Sequence, residues 1–197
     1  MSYEEMTESA CKGGADVIQL RNKNLSQKEL TALGIQLKKI CESYGSLLLV
    51  NDRVDVALDC GADGVHLGQQ DLPLKEAKKI VHNFFKGEMK QIKDFLIGCS
   101  THSLDQALKA ENDGADYVGC GPIFATPTKP DLAPVGLNLI REYHKHLKLP
   151  FVAIGGIDAS NIDAVLQAGA KCVAVVRAVF SSNNIEESAR SLKSRFK

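Results

Sequence analysis

The sequence has no excess of either charge: 24 Lys and Arg stand against 24 Asp and Glu, for a formal net charge of zero. Such a chain sets up no long-range field toward a polyanion or an anionic membrane. Nucleic acid and membrane surfaces are therefore not expected partners, and any basic function must come from a local cluster. Long apolar runs are also missing. The longest, at residues 47–50 and 172–176, fall far short of the roughly 20 residues a membrane helix needs. Residues 1–8 are acidic and polar, which predicts neither a signal nor a transit peptide and a cytoplasmic location. No two of the six cysteines (Cys11, Cys41, Cys60, Cys99, Cys120 and Cys172) have Cys-x-x-Cys spacing. They read as reduced thiols acting as small hydrophobes rather than as a zinc site. Low-complexity segments and linkers are absent as well. The 197 residues, 44% of them hydrophobic, read as one domain spanning 1–197, long enough to bury a core without staples.

What the sequence does contain is a repeat. Gly14-Ala15-Asp16, Gly61-Ala62-Asp63 and Gly114-Ala115-Asp116 share one block, and Gly169-Ala170-Lys171 keeps all but the acid. Successive glycines lie 47, 53 and 55 residues apart. Each block follows an amphipathic stretch and precedes an apolar run. That is the order of a helix end, a left-handed glycine and a buried parallel strand. Each period holds two strand-helix units.

Strand-like runs fall at 16–20, 47–51, 64–67, 95–99, 117–121, 151–154 and 172–176. Helix-like stretches fall at 3–12, 26–44, 53–60, 74–85, 103–113, 137–146, 159–168 and 185–194. Ser26 with Glu29 forms a capping box. Seven strands alternating with eight helices, beginning with a helix, predict an α/β fold with a parallel sheet. The expected architecture is a (β/α)8 TIM barrel lacking a clear first strand, with a doubly wound open sheet as the alternative.

Active sites of such barrels lie at the C-terminal strand ends. The first exit reads Gln19-Leu20-Arg21-Asn22-Lys23, and alternation places Gln19, Arg21 and Lys23 on one side. Two cations and an amide suit a diphosphate, although a solvated basic loop would look the same. The next two exits carry Asn51-Asp52 and His66-Leu67-Gly68-Gln69-Gln70-Asp71. Two carboxylates beside cations suit Mg2+, which fills its remaining positions with phosphate oxygens and water. Helix capping explains either aspartate singly. His66 reads as a hydrogen-bonded barrel histidine rather than a ligand or base. Ser100 sits at the mouth and Ser103 caps the following helix.

Thr126, Thr128 and Lys129 present two hydroxyls and an ammonium in the Pro- and Thr-rich stretch 125–135, a second anion-reading loop placed as a lid. Gly155-Gly156-Ile157 and Val176-Arg177 end the last two strands. The amides of Gly156 and of Val176 or Arg177 are expected to hold a monophosphate.

Taken in order, Gln-x-Arg-x-Lys, Asn-Asp, Gly-Gln-x-Asp, Gly-x-Ser, Thr-x-Thr-Lys and Ile-Gly-Gly-Ile resemble the thiamine-phosphate synthase family, from about Gly13 to Phe180. Each motif alone is weak; six in order at strand exits are specific. The resemblance implies a transferase of thiamine biosynthesis with two small-molecule substrates, a pyrimidine diphosphate and a thiazole phosphate, and with Mg2+ as cofactor. By this similarity Gln19, Arg21, Lys23 and Asn51 would hold the pyrimidine diphosphate, and Asp52 and Asp71 the metal. Ser100 and Lys129 would contact the pyrimidine or its diphosphate. Thr126, Thr128, Gly156, Val176 and Arg177 would hold the thiazole phosphate. The catalytic set is Arg21, Lys23, Ser100 and Lys129.

Arg177 stands where many family members place a serine. The related thiazole tautomerase, an isomerase on the same fold, and a non-catalytic phosphate-ligand binder are the rival readings. Oligomeric state is left open, a homo-oligomer included.

Overall fold

A computed structural model describes residues 1–127 and 132–196 of the chain. Its strands are β1 (Val17–Leu20), β2 (Leu47–Asn51), β3 (Gly64–Leu67), β4 (Leu96–Thr101), β5 (Tyr117–Cys120), β6 (Phe151–Ile154) and β7 (Cys172–Ala174). Its helices are α1 (Tyr3–Lys12), α2 (Gln27–Ser43), α3 (Val54–Asp59), α4 (Leu74–Phe84), α5 (Met89–Asp94), α6 (Leu104–Asn112), α7 (Gly136–His146), α8 (Ile162–Gln167), α9 (Arg177–Phe180) and α10 (Ile185–Lys193).

The seven strands form one parallel sheet in the order β1 to β7. Sequential order is what a barrel requires, and it excludes the doubly wound alternative, in which the order reverses at a switch point. Helices link successive strands and cover one face of the sheet. Ile18, Leu20, Leu48, Val50, Val65, Leu67, Ile97, Val118 and Ala153 bury there against Leu37, Val56, Val81, Ile140 and Val165. On the inner face, Val17, Leu47 and Ile154 are 38–45% exposed. The ring of helices does meet: α10 packs on α1, and Lys193 bridges to Asp16 at 2.5 Å.

The repeat has a local cause. Gly14, Gly61, Gly114 and Gly169 follow the C-caps of α1, α3, α6 and α8, with φ of +91°, +69°, +84° and +112°. Other residues avoid that region. In two of the three copies that keep it, the aspartate of the block then clamps the neighbouring strand, whereas Asp16 pairs with Lys193. The amide of Asp63 donates to the Leu48 carbonyl (2.8 Å), and the Leu48 amide donates to Asp63 Oδ2 (2.7 Å). Asp116 and Ile97 repeat the pair at 2.9 and 2.7 Å. The copy with Lys171 cannot accept in this way.

The structure departs from the expected elements in several places. α5 and α9 are added; α5 buries none of its residues and α9 only Val179, so neither shows an apolar face in the sequence. β4 runs on to Thr101, so Ser100 lies inside a strand rather than after it. β7 stops at Ala174, and Val176 becomes the N-cap of α9. Five cysteines are buried, as read from the sequence, and Cys172 on β7 is exposed.

The clamp can be measured. Asp116→Ala removes the acceptor for the Ile97 amide and should cost about 1–2 kcal/mol in urea unfolding. Asp116→Asn, which keeps an acceptor oxygen, should cost less than half of that.

Candidate active site

Every strand exit opens at the same end of the parallel sheet, so residues far apart in sequence gather there. Arg21, Lys23, Asn51 and Asp52 line one cleft of about 270 Å³, floored by Leu20, Leu30 and Val50. Both cations are exposed. Gln19 lies two residues earlier on the inner face of β1, also exposed.

Asp52 and Asp71 meet by side-chain hydrogen bonding, although they leave different strands. Burial pushes the Asp52 carboxyl up to about 6, helped by the hydrogen bond and charge of Asp71, while Arg21 and Lys23 pull it back down. Neither aspartate caps a helix: Arg53 and Pro73 occupy the N-caps of α3 and α4, and neither cap has a side-chain hydrogen bond. Asp71 instead accepts from the Gly68 amide at 2.7 Å. Asp52 takes a left-handed backbone, φ 64°, a conformation uncommon outside glycine and tolerated best by Asp and Asn. Capping, the bland reading of these residues, is therefore not their role here.

Paired carboxylates fit a hard divalent cation, whose charge would relieve their repulsion. Among the described residues no cluster of three or more His, Cys, Asp and Glu is built for a metal. A donor set of two carboxylates matches Mg2+, which keeps water and phosphate oxygens as its other ligands.

Ser100 Oγ lies 3.0 Å from His66 Nε2, and its carbonyl accepts from Gln69 Nε2 at 2.6 Å. His66 Nδ1 lies 2.9 Å from the Tyr117 hydroxyl. His66 is thus a hydrogen-bonded barrel histidine, as its position suggested. Nothing in the sequence marks Tyr117 itself, because it opens its strand, whereas the site residues of such barrels lie at strand ends. Gly98, its register partner across β4, is a signal that could have found it.

A second group gathers at the exits of β5 and β6. The amides of Ile123 and Phe124 donate to the carbonyls of Ile154 and Gly155 at 2.9 and 3.0 Å, tying the two loops together. A Cβ at Gly156 would come within 2.7 Å of the Ala125 carbonyl oxygen, so only glycine permits this approach. Thr126 stands on the first of these loops. β7 pairs with β6 and leads into Val176 and Arg177, both exposed. Thr128 and Lys129 lie outside the described residues.

Residues 1–179 match the model of the thiamine monophosphate synthases. The chain belongs to that family. It is 44% identical over 194 residues to the thiamine-phosphate synthase of Methanocella arvoryzae, covering 98% of this chain and 87% of that protein. It is 46% identical over 191 residues to the thiamine-phosphate synthase of Thermosynechococcus vestitus, covering 97% of this chain and 52% of the relative. The solved thiamine phosphate pyrophosphorylase of Pyrococcus furiosus superposes with a TM-score of 0.89 at 37% identity, covering 99% of this chain and 89% of that one. Membership fixes the fold as a TIM-type barrel. Among the described residues no helix is long and apolar enough to cross a membrane.

The carboxylate pair makes stability depend on pH. Because the folded-state value of Asp52 lies above its ordinary 3.8, ionising it costs stability as pH rises through about 6. With EDTA present, Asp52→Asn should therefore raise Tm at pH 8 and leave it unchanged at pH 4. The rise should be about 2–4 °C, the shift for about 1 kcal/mol in a domain of this size once solvent screening of a half-buried pair is allowed for. Scanning calorimetry at the two pH values checks it.

Proposed function

We propose that the protein joins 4-amino-2-methyl-5-hydroxymethylpyrimidine diphosphate to 4-methyl-5-(2-phosphoethyl)thiazole, giving thiamine phosphate and diphosphate, on a single barrel domain spanning 1–197. The observation that carries this reading is the meeting of Asp52 and Asp71 beside Arg21 and Lys23 at the strand exits. That group has a use only if a polyanion is bound with a divalent cation. A thiazole tautomerase would not need it, and family membership makes a purely binding role less economical.

The chemistry asks little of nucleophiles. The bond from the exocyclic methylene carbon to the diphosphate oxygen breaks, and its electron pair leaves with the diphosphate. The electron-rich aminopyrimidine stabilises the cation left on that carbon. The thiazole nitrogen then donates its lone pair to the same carbon and forms the new C–N bond. The protein's task is to stabilise the departing charge, to align the two partners and to keep water out.

On this reading Arg21, Lys23 and Lys129 neutralise the diphosphate, and Gln19, Asn51 and Ser100 orient the pyrimidine end. Thr126, Thr128, Gly156, Val176 and Arg177 hold the thiazole phosphate. Asp52 and Asp71 would hold Mg2+, which when bound supplies charge neutralisation at the leaving group. A bidentate guanidinium at Arg177 suits a phosphate better than a serine hydroxyl does. The partners are the two small molecules, with no nucleic acid or membrane. We place the protein in the cytoplasm, a reading supported by its six free thiols.

The test is a coupling assay on purified protein with both substrates and Mg2+, read as thiochrome fluorescence after oxidation, with an EDTA control. A Mg2+-dependent signal is expected. It should fall at least about 100-fold in Asp71→Ala and about 10-fold in Lys129→Ala, each with an unchanged circular dichroism spectrum. Near-normal turnover in Asp71→Ala would sink the metal assignment.

A further inference from the structure

One polar group on the inner face has no part in the proposed reaction. Tyr117, on β5, reaches past β4 to His66 on β3, a span of roughly 9–10 Å between strand axes. Two glycines clear its path. A Cβ on Gly98 would stand 2.1 Å from Tyr117 Cζ, and one on Gly119 would stand 3.3 Å from His66 Cε1. The rings lie 5.5 Å apart between centroids, tilted by 32°. The result is a row of polar contacts: Tyr117 hydroxyl to His66 Nδ1 at 2.9 Å, then His66 Nε2 to Ser100 Oγ at 3.0 Å.

Proton counting gives the row a direction. Burial drives the Tyr117 hydroxyl well above its usual range, so it keeps its proton at neutral pH. Among the described residues that hydroxyl has no other hydrogen-bond partner. If it accepted from Nδ1–H, its own proton would be left without an acceptor in a largely buried site, at a cost of about 1–3 kcal/mol. It therefore donates to Nδ1. A neutral imidazole that accepts at Nδ1 carries its proton on Nε2, and Nε2–H donates to Ser100 Oγ. The Ser100 hydroxyl proton, turned away from His66, is left to donate toward the mouth.

We infer that Tyr117 is a positioning residue: through the His66 tautomer it fixes the direction in which the Ser100 hydroxyl donates to the bound pyrimidine diphosphate. The inference rests on the reading that Ser100 contacts that substrate. Gln69, which holds the Ser100 carbonyl, fixes the backbone from the other side. With Tyr117 in place, the serine donor is aligned before the substrate arrives, so no transition-state stabilisation is lost to reorienting it.

Two measurements test this. The first needs no substrate. A long-range proton–nitrogen NMR spectrum at pH 7.5, with the His66 signals assigned by difference from His66→Asn, should show the Nε2–H tautomer alone. In Tyr117→Phe, which removes only an oxygen, the Nδ1–H tautomer should appear beside it. The second is kinetic. Tyr117→Phe should lower kcat about tenfold, the effect of one misdirected hydrogen bond in the transition state, with KM for the thiazole phosphate changed less than twofold. In a Ser100→Ala background the same change should cost less than about twofold, because its effect passes through that hydroxyl.

A wild-type His66 carrying its proton on Nδ1, or a tautomer that Tyr117→Phe leaves unmoved, would overturn the inference. So would a full tenfold loss in the Ser100→Ala background. If the wild type fails to couple the two substrates, the proposed reaction falls, and the tautomer measurement still decides the direction of the row.

Discussion

Because each strand pairs in parallel with the next in sequence, all seven exits open at one end of the sheet. The same pairing sends the backbone hydrogen bonds sideways into neighbours and leaves the side chains at the exits free for chemistry. Its register is held from the opposite end, where Asp63 and Asp116 each accept from one neighbouring amide and donate to one neighbouring carbonyl. A slip of one residue would turn Asn51, His66 and Ser100 toward the helices and bring Val50, Val65 and Cys99 to the inner face. The site therefore depends on a clamp made at the far end of the strands.

At the open end the balance is electrostatic. Asp52 and Asp71 are brought together against their mutual repulsion, and burial adds to the cost. Arg21 and Lys23 offset part of it. Helix capping has no share in this arrangement.

The inner face shows how two kinds of residue cooperate. Glycines at 98 and 119 give up packing on the sheet, and the room they leave lets an aromatic side chain cross a whole strand to reach a histidine. The contact ranks low in sequence because its members stand 34 and 51 residues apart. It ranks high in the fold because both ring nitrogens of one imidazole are committed. A fixed tautomer is a form of preorganisation that leaves no trace in residue spacing.

The sequence by itself determined the period, the parallel sheet, the helix ends and the strand exits. The reason is that each rests on local physics: the left-handed glycines at 14, 61, 114 and 169, the capping box at Ser26 and Glu29, and short apolar runs sized for buried strands. It placed Arg21, Lys23, Asn51 and Asp52 at one mouth because strand alternation and exit position are local properties too. The short helices α5 and α9 escaped it, since α5 buries none of its residues and α9 only Val179, so neither presents an apolar face to read. Tertiary structure alone decided that Asp52 and Asp71 share a hydrogen bond instead of capping α3 and α4. It alone decided that Tyr117 reaches His66 across β4. Both contacts depend on strand register and on which neighbours leave room, and those quantities exist only once the sheet has formed.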